Sequence, residues 1–193
     1  MNLSASAELA TLSLTLTLPA EQLRLRSRRM MIDLSRAIEQ HAETTGGDTV
    51  LIATFQRLSL FEREMTRYAR IAGRVNQIFV LGVMDTKPLA LPGVTVIPIE
   101  ADWPLVQEWV VIARGSNCCV ALQSRDAEGF DPKRRSRQFL GRWITNATEV
   151  DAMMTTFFQA IEQPLPAFKD VPQVGFKSAN AIRQLLANKR TAL

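Results

Sequence analysis

Apolar residues along this chain fall into short runs separated by glycine, proline and polar clusters, and the run Val50-Leu51-Ile52-Ala53 is the one the others arrange around. Gly46-Gly47-Asp48 before it closes any preceding helix, and a bounded apolar run of roughly four to eight residues reads as a buried strand. After Phe55 the chain turns polar at Gln56 and Arg57, and Ser59 with Glu62 three residues later has the form of a helix capping box. Ser59 to Gly73 then carries Phe61, Met65, Tyr68 and Ala72 at helical spacing. Val75 to Gly82 is a second apolar run. Asp48 to Gly82 therefore predicts strand, helix and strand, with parallel pairing and a right-handed crossover.

Val94 to Ile99 predicts a third strand, placed near a sheet edge by Pro98, which lacks a backbone donor. Glu108 to Arg114 and Cys118 to Arg125 flank Gly115-Ser116-Asn117 and read as a hairpin. Asp126 to Arg137 is polar and basic, a surface loop or short helix. Phe139 to Thr145 returns as a strand, and Thr148 to Ile161 carries Val150, Met153, Met154, Phe157 and Ile161 as an amphipathic helix stopped by Pro164 and Pro166. The fold class expected is α+β: one domain with a mixed central sheet, one parallel strand-helix-strand unit, a hairpin and packing helices.

The two flanks differ from this middle. Leu12, Leu14, Leu16 and Leu18 alternate with Ser13, Thr15 and Thr17, which is strand periodicity and predicts an edge strand or a docking strand for another chain. Glu21 to Thr44 predicts a helix with Leu23, Met30, Met31, Leu34, Ala37, Ile38 and His41 on one face. Arg24, Arg26, Arg28 and Arg29 sit near its start, where the helix dipole disfavours cations. Either the helix begins nearer Arg28 or these arginines meet acidic groups. At the other end, Ser178 is a candidate cap for a short helix carrying Ile182, Leu185 and Leu186. Three segments follow: 1–27, a strand or linker with a basic segment; 28–164, the domain; and 165–193, a basic tail.

Composition changes this picture in a few respects. A length of 193 residues with 47% hydrophobic and 22% charged residues excludes global disorder. The net charge of +4 is matched by the tail alone, where Lys169, Lys177, Arg183, Lys189 and Arg190 face only Asp170. Nucleic acid binding through that tail is the alternative reading. Cys118 and Cys119 point to opposite sides of a strand and are poor disulfide partners, so a reduced, cytoplasmic protein is expected. One histidine and one vicinal cysteine pair do not supply a metal site. No phosphate-binding glycine loop, dinucleotide fingerprint or nucleophile elbow occurs, so no catalytic residue is named and no cofactor is assigned. No apolar run approaches the ~20 residues that span a bilayer, and Glu8 before an alternating pattern does not make a secretory signal.

The assembled pattern resembles the DICT domain, a sensory module of diguanylate cyclases and two-component systems. The residues that carry the resemblance are Asp48 to Arg57, the helix through Tyr68, Glu108-Trp-Val-Val111, Val120-Ala-Leu122, Arg125 and Phe139-Leu-Gly-Arg-Trp143, within about Arg28 to Glu162. The resemblance implies an α+β sensory domain working with a signalling output, with a light-linked role in some members. It carries over no ligand-binding residues. Here it favours a non-catalytic adaptor acting in trans on a signalling or regulatory protein, with a second copy of the chain as a further partner. A ligand or coupling site is expected at the carboxyl ends of the parallel strands, from Phe55, Gln56 and Arg57 on one and Met84 and Asp85 after the next, with Tyr68, Trp103 and Trp109 as aromatic walls. Leu14, Leu16, Leu18, Ile182, Leu185 and Leu186 are the candidates for docking a partner.

Overall fold

A computed structural model of the chain describes residues 7–14, 23–87, 90–129, 137–168 and 174–191. In chain order these form α1 (Ala7–Thr11), β1 (Arg24–Ser27), α2 (Arg28–Thr45), β2 (Val50–Arg57), α3 (Leu58–Glu62), α4 (Met65–Ala72), β3 (Gln77–Val83) and β4 (Val94–Ile99). A 3-10 turn at Pro104–Gln107 leads into β5 (Glu108–Gly115), β6 (Cys118–Asp126), β7 (Gln138–Ile144), α5 (Ala147–Ala160) and α6 (Val174–Thr191). The strands make one mixed sheet in the order β1-β7-β6-β5-β2-β3-β4. β2, β3 and β4 run parallel, and the pairs β2·β5, β5·β6, β6·β7 and β7·β1 are antiparallel. The expected parallel unit, the hairpin and the edge position of the Pro98 strand are all present, and the fold class is the expected one.

Strand alternation divides the sheet into two dry faces. On one, Val50, Ile52, Phe79, Leu81, Val110 and Ile112 pack against Leu9 of α1 and Val150, Met154, Phe157 and Phe158 of α5. Phe79, Phe157 and Phe158 meet edge-on with centroids 5.2–5.5 Å apart, the arrangement favoured by aromatic quadrupoles. On the other face, Leu51, Ala53, Val80, Val111, Val120 and Leu122 pack against Met31 and Ile38 of α2, Tyr68 of α4 and Ile182 of α6. Cys118 and Cys119 belong to opposite faces, as alternation requires, and both are free thiols.

Four local readings are corrected. The expected strand through Leu12 is instead the helix α1 followed by a non-strand segment at 12–14, while Leu16 and Leu18 lie outside the described residues. The reason is a buried carboxylate: Glu108 accepts from Ser13 Oγ and from the Leu14 N–H at 2.9 Å, and Gln123 Nε2 donates to the Leu14 carbonyl. Those side chains take the backbone groups a strand partner would have used. The arginine-rich start of the helix expected from Glu21 is β1, paired with β7; of the two alternatives the later start holds, and the helix begins at Arg28, with Ser27 Oγ accepting from the Met30 N–H at 3.3 Å.

The helix expected over Ser59–Gly73 breaks into α3 and α4 at Arg63-Glu64, and Ser59 does not cap it. Asp85 does so from the end of β3, accepting from the Ser59 N–H at 2.9 Å and from Ser59 Oγ at 2.7 Å. Last, α6 starts at Val174, so Ser178 is an interior helical residue that is wholly buried. β7 stops at Ile144, opposite Ala121, and beyond that end Ser178 Oγ accepts from the Cys119 N–H at 3.1 Å.

Candidate functional site

The site arises where β2 loses its register with both neighbours. On the β5 side, backbone pairing runs from Val50↔Arg114 to Ala53↔Val111 and ends there, although both strands continue. Thr54 Oγ1 bridges the parting backbones, accepting from the Val110 N–H at 2.9 Å and reaching the Glu108 carbonyl at 3.2 Å. On the β3 side, Thr54 pairs with Leu81 and Arg57 with Val83, so Phe55 and Gln56 together oppose the single residue Gly82. That two-against-one count is a β-bulge, which interrupts alternation and re-aims side chains. Gly82 makes it possible: a Cβ there would lie 2.7 Å from the Phe55 carbonyl oxygen and 3.0 Å from Leu58 Cδ2.

As a result Phe55 and Gln56, neighbours in sequence, both line a cavity of about 150 Å³ between the diverging strands and α2 and α4. Its aromatic walls are Phe55, Tyr68 and Trp109. Phe55, Phe61 and Tyr68 meet one another tilted or edge-on with centroids 5.2–5.9 Å apart, and Trp109 stands edge-on to Phe139 at 5.2 Å, so the walls are braced from behind. Trp109 Nε1 donates to Ser35 Oγ at 2.8 Å, and that hydroxyl donates to the Met31 carbonyl at 2.9 Å. The indole is thereby locked by a helix residue rather than by its own strand.

Two charged arrangements border the cavity. Glu39 of α2 is 2% exposed. It accepts from the Tyr68 hydroxyl at 2.7 Å and is ion-paired with Arg67, which also donates from Nε to Glu64 at 3.0 Å. Burial pushes the Tyr68 phenol far above its ordinary value and pulls the Arg67 guanidinium below its own. The phenol therefore stays protonated and acts as a donor. At the opposite rim, Arg137 donates from Nη1 to Gln56 Oε1 at 2.5 Å and from Nε to Asp126 at 2.8 Å, with its guanidinium 5.1 Å from the Phe139 ring centre.

Burial pushes the Cys118 thiol up to about 12, on the same face of the sheet but away from the cavity. Among the described residues no group of three or more His, Cys, Asp or Glu could hold a metal ion.

A family model for the sensory domain in diguanylate cyclases and two-component systems, DICT, matches residues 7–126, well over half of the chain. This chain belongs to the DICT family. The match runs from α1 through β6 and includes every cavity residue named above except Arg137. It differs in extent from the resemblance read in the sequence: it takes in α1 and β1, and stops before the Phe139–Trp143 block. Comparisons with curated proteins and with solved structures give no match. No helix among the described residues is long and apolar enough to cross a membrane.

Of the ligand residues expected from strand-end geometry and its aromatic surroundings, Phe55, Gln56, Tyr68 and Trp109 converge on the cavity. Arg57 and Asp85 lie outside it, 4.0 Å apart, with Asp85 engaged in capping α3. Burial raises the Asp85 carboxyl, but the two Ser59 hydrogen bonds outweigh it and hold the group below its ordinary range. Met84 is 45% exposed, and Trp103 packs on the α5 face of the sheet. Of the docking candidates, Leu14 and Ile182 are buried in the two cores, and Leu185 and Leu186 are half-buried against the second.

Sequence reasoning missed Ser35, Glu39, Arg67 and Arg137. The first two had a visible signal: they are one turn apart on α2, polar residues beside the apolar Leu34 and Ile38 at a spacing that puts both on one stripe.

Proposed function

We propose that this DICT domain is a non-catalytic regulatory sensor, with the cavity between β2, β5, α2 and α4 as its input site and a signalling or regulatory protein, acted on in trans, as its output. The observation that carries the reading is the cavity itself: an aromatic-walled space at a β-bulge, bordered by a buried Tyr68–Glu39–Arg67 network that holds its walls in place. Concave, largely apolar sites with a few fixed polar groups are how proteins hold small molecules. A cytoplasmic setting is supported by two buried free thiols.

The test is native mass spectrometry and an absorbance spectrum of the protein isolated from its own cells, together with affinity capture of its partners. The reading expects a discrete partner protein and a small molecule released on unfolding; absorbance beyond the aromatic range would add a light-linked input. Retention of DNA with a steep salt dependence, and no protein partner, would replace it with nucleic-acid binding through the basic tail. A protein with neither bound molecule nor partner would sink it.

A further inference from the structure

Arg28, Ile32, Ser35, Arg36 and Glu39 of α2 line the cavity. Their spacing puts them on one stripe of the helix, and Ser35 and Glu39 fix its direction, since they reach Trp109 and Tyr68 in the walls. Arg28 stands at the start of that stripe. It is exposed, and its guanidinium makes no ion pair, hydrogen bond or ring contact among the described residues. It opens the helix beside Arg29, with no acidic residue in the first turn. The carboxylates that share the cavity are already engaged: Glu39 by Tyr68 and Arg67, Glu64 by Arg67 and Arg36, and Glu108 by Ser13 and the Leu14 N–H. Arg28 is thus a lining cation whose counter-charge the described residues do not supply.

From this we infer that the cavity takes an aromatic carboxylate: one ring among Phe55, Tyr68 and Trp109, and an acid group on a short arm that runs along Ile32 to the Arg28 guanidinium. The inference rests on the cavity being the sensor's input site. Size sets the ring count, because about 150 Å³ is the volume of a protein cavity that holds one benzene ring. Wall chemistry sets the ring itself, since aromatic side chains favour offset or edge-on contacts with another ring.

The helix sets the arm. Arg28 lies two turns before Ser35, a rise of roughly 10 Å, and Ile32 is the apolar residue of the stripe between them. The guanidinium sets the head group, for its planar fork matches a carboxylate with two parallel hydrogen bonds. A doubly charged phosphate would add a further negative charge to a space that Glu39, Glu64 and Glu108 also line. An ammonium head would meet a cation at the rim.

The experiment uses the full chain with phenylpropionate, and with phenylpropanol, phenylpropylamine and phenyl phosphate as neutral, cationic and doubly charged comparisons. Affinity is measured by calorimetry, and position by the indole N–H resonance of Trp109. Phenylpropionate is expected to bind saturably, at least tenfold tighter than each of the other three, and to shift that resonance. Arg28→Gln is expected to abolish the margin over the alcohol. Arg29→Gln removes the same charge from the next residue, outside the cavity lining, and is expected to preserve it. Both side chains are exposed, so neither variant disturbs the core. A comparison compound bound as tightly, an unmoved Trp109 resonance, equal losses in the two variants, or no binding of phenylpropionate would each overturn the inference. A neutral or cationic molecule recovered from the native protein would also overturn it while leaving the sensory reading intact.

Discussion

Ser178 Oγ lies 3.0 Å from His41 Nε2 and joins residues 137 positions apart in the chain. The same oxygen accepts from the Cys119 N–H, so one hydroxyl ties the imidazole of α2 to the backbone of β6. This clasp holds the interior of α6 against both α2 and the tip of the hairpin.

A pH dependence follows with a definite sign. Burial holds His41 below its ordinary value of 6.5, so on acidification the unfolded chain takes up the proton first. Unfolding free energy is at its full value above 6.5 and falls as the pH drops from there toward the lower folded value. Since this is the chain's single histidine, a slope in that window is assignable to it. Urea unfolding should show a lower stability at pH 5.5 than at pH 7.5, and His41→Gln should flatten that difference. An unchanged slope in that variant would show that the clasp does not titrate.

Removing one partner of the network beside the cavity should cost more than removing both. Arg67→Met leaves the buried Glu39 carboxylate with only the Tyr68 hydroxyl, a loss of roughly 3–5 kcal/mol. Tyr68→Phe should cost about 1–3 kcal/mol. In Arg67→Met combined with Glu39→Leu the penalty should shrink, which denaturant midpoints across the double-mutant cycle would measure. Additive losses would mean that the pair is solvated in solution.

Gly82→Ala tests the bulge. The added methyl meets the Phe55 carbonyl and must push β2 away from β3. Such overpacking costs about 1–3 kcal/mol, and the Trp109 environment should change with it, because Phe55 forms the facing wall. A variant with wild-type stability and an unaltered near-ultraviolet circular dichroism spectrum would show that the close approach is not needed.

Asp85→Ala removes the acceptor for both Ser59 donors and should lower stability by about 1 kcal/mol, as loss of an N-cap does. Hydrogen exchange at the first turn of α3 should rise, while exchange in α5, on the other face, stays at the wild-type rate.

The sheet was legible because alternating and continuous apolar runs such as Val50–Ala53 and Ile78–Leu81 have a local period that survives folding. Boundaries were lost wherever a distant side chain decided them. Asp85 supplies the cap that Ser59 was expected to provide, and Glu108 captures the backbone at Leu14. Half of the expected ligand residues reach the cavity for the same reason. Strand-end logic found Phe55 and Gln56, but pointed from there toward β3 at Met84 and Asp85. The opening is on the β5 side, where antiparallel pairing stops at Ala53, and a register break of that kind has no signature in either strand alone.

α2 takes part in both arrangements. Ser35, Arg36 and Glu39 border the cavity, and His41 in its later turns grips α6. From Ser35 to His41 a helix rises roughly 9 Å. The Ser35 contact to Trp109 and the His41 contact to Ser178 are thus fixed at a set spacing by one helical segment, so the wall of the cavity and the C-terminal helix share a single support.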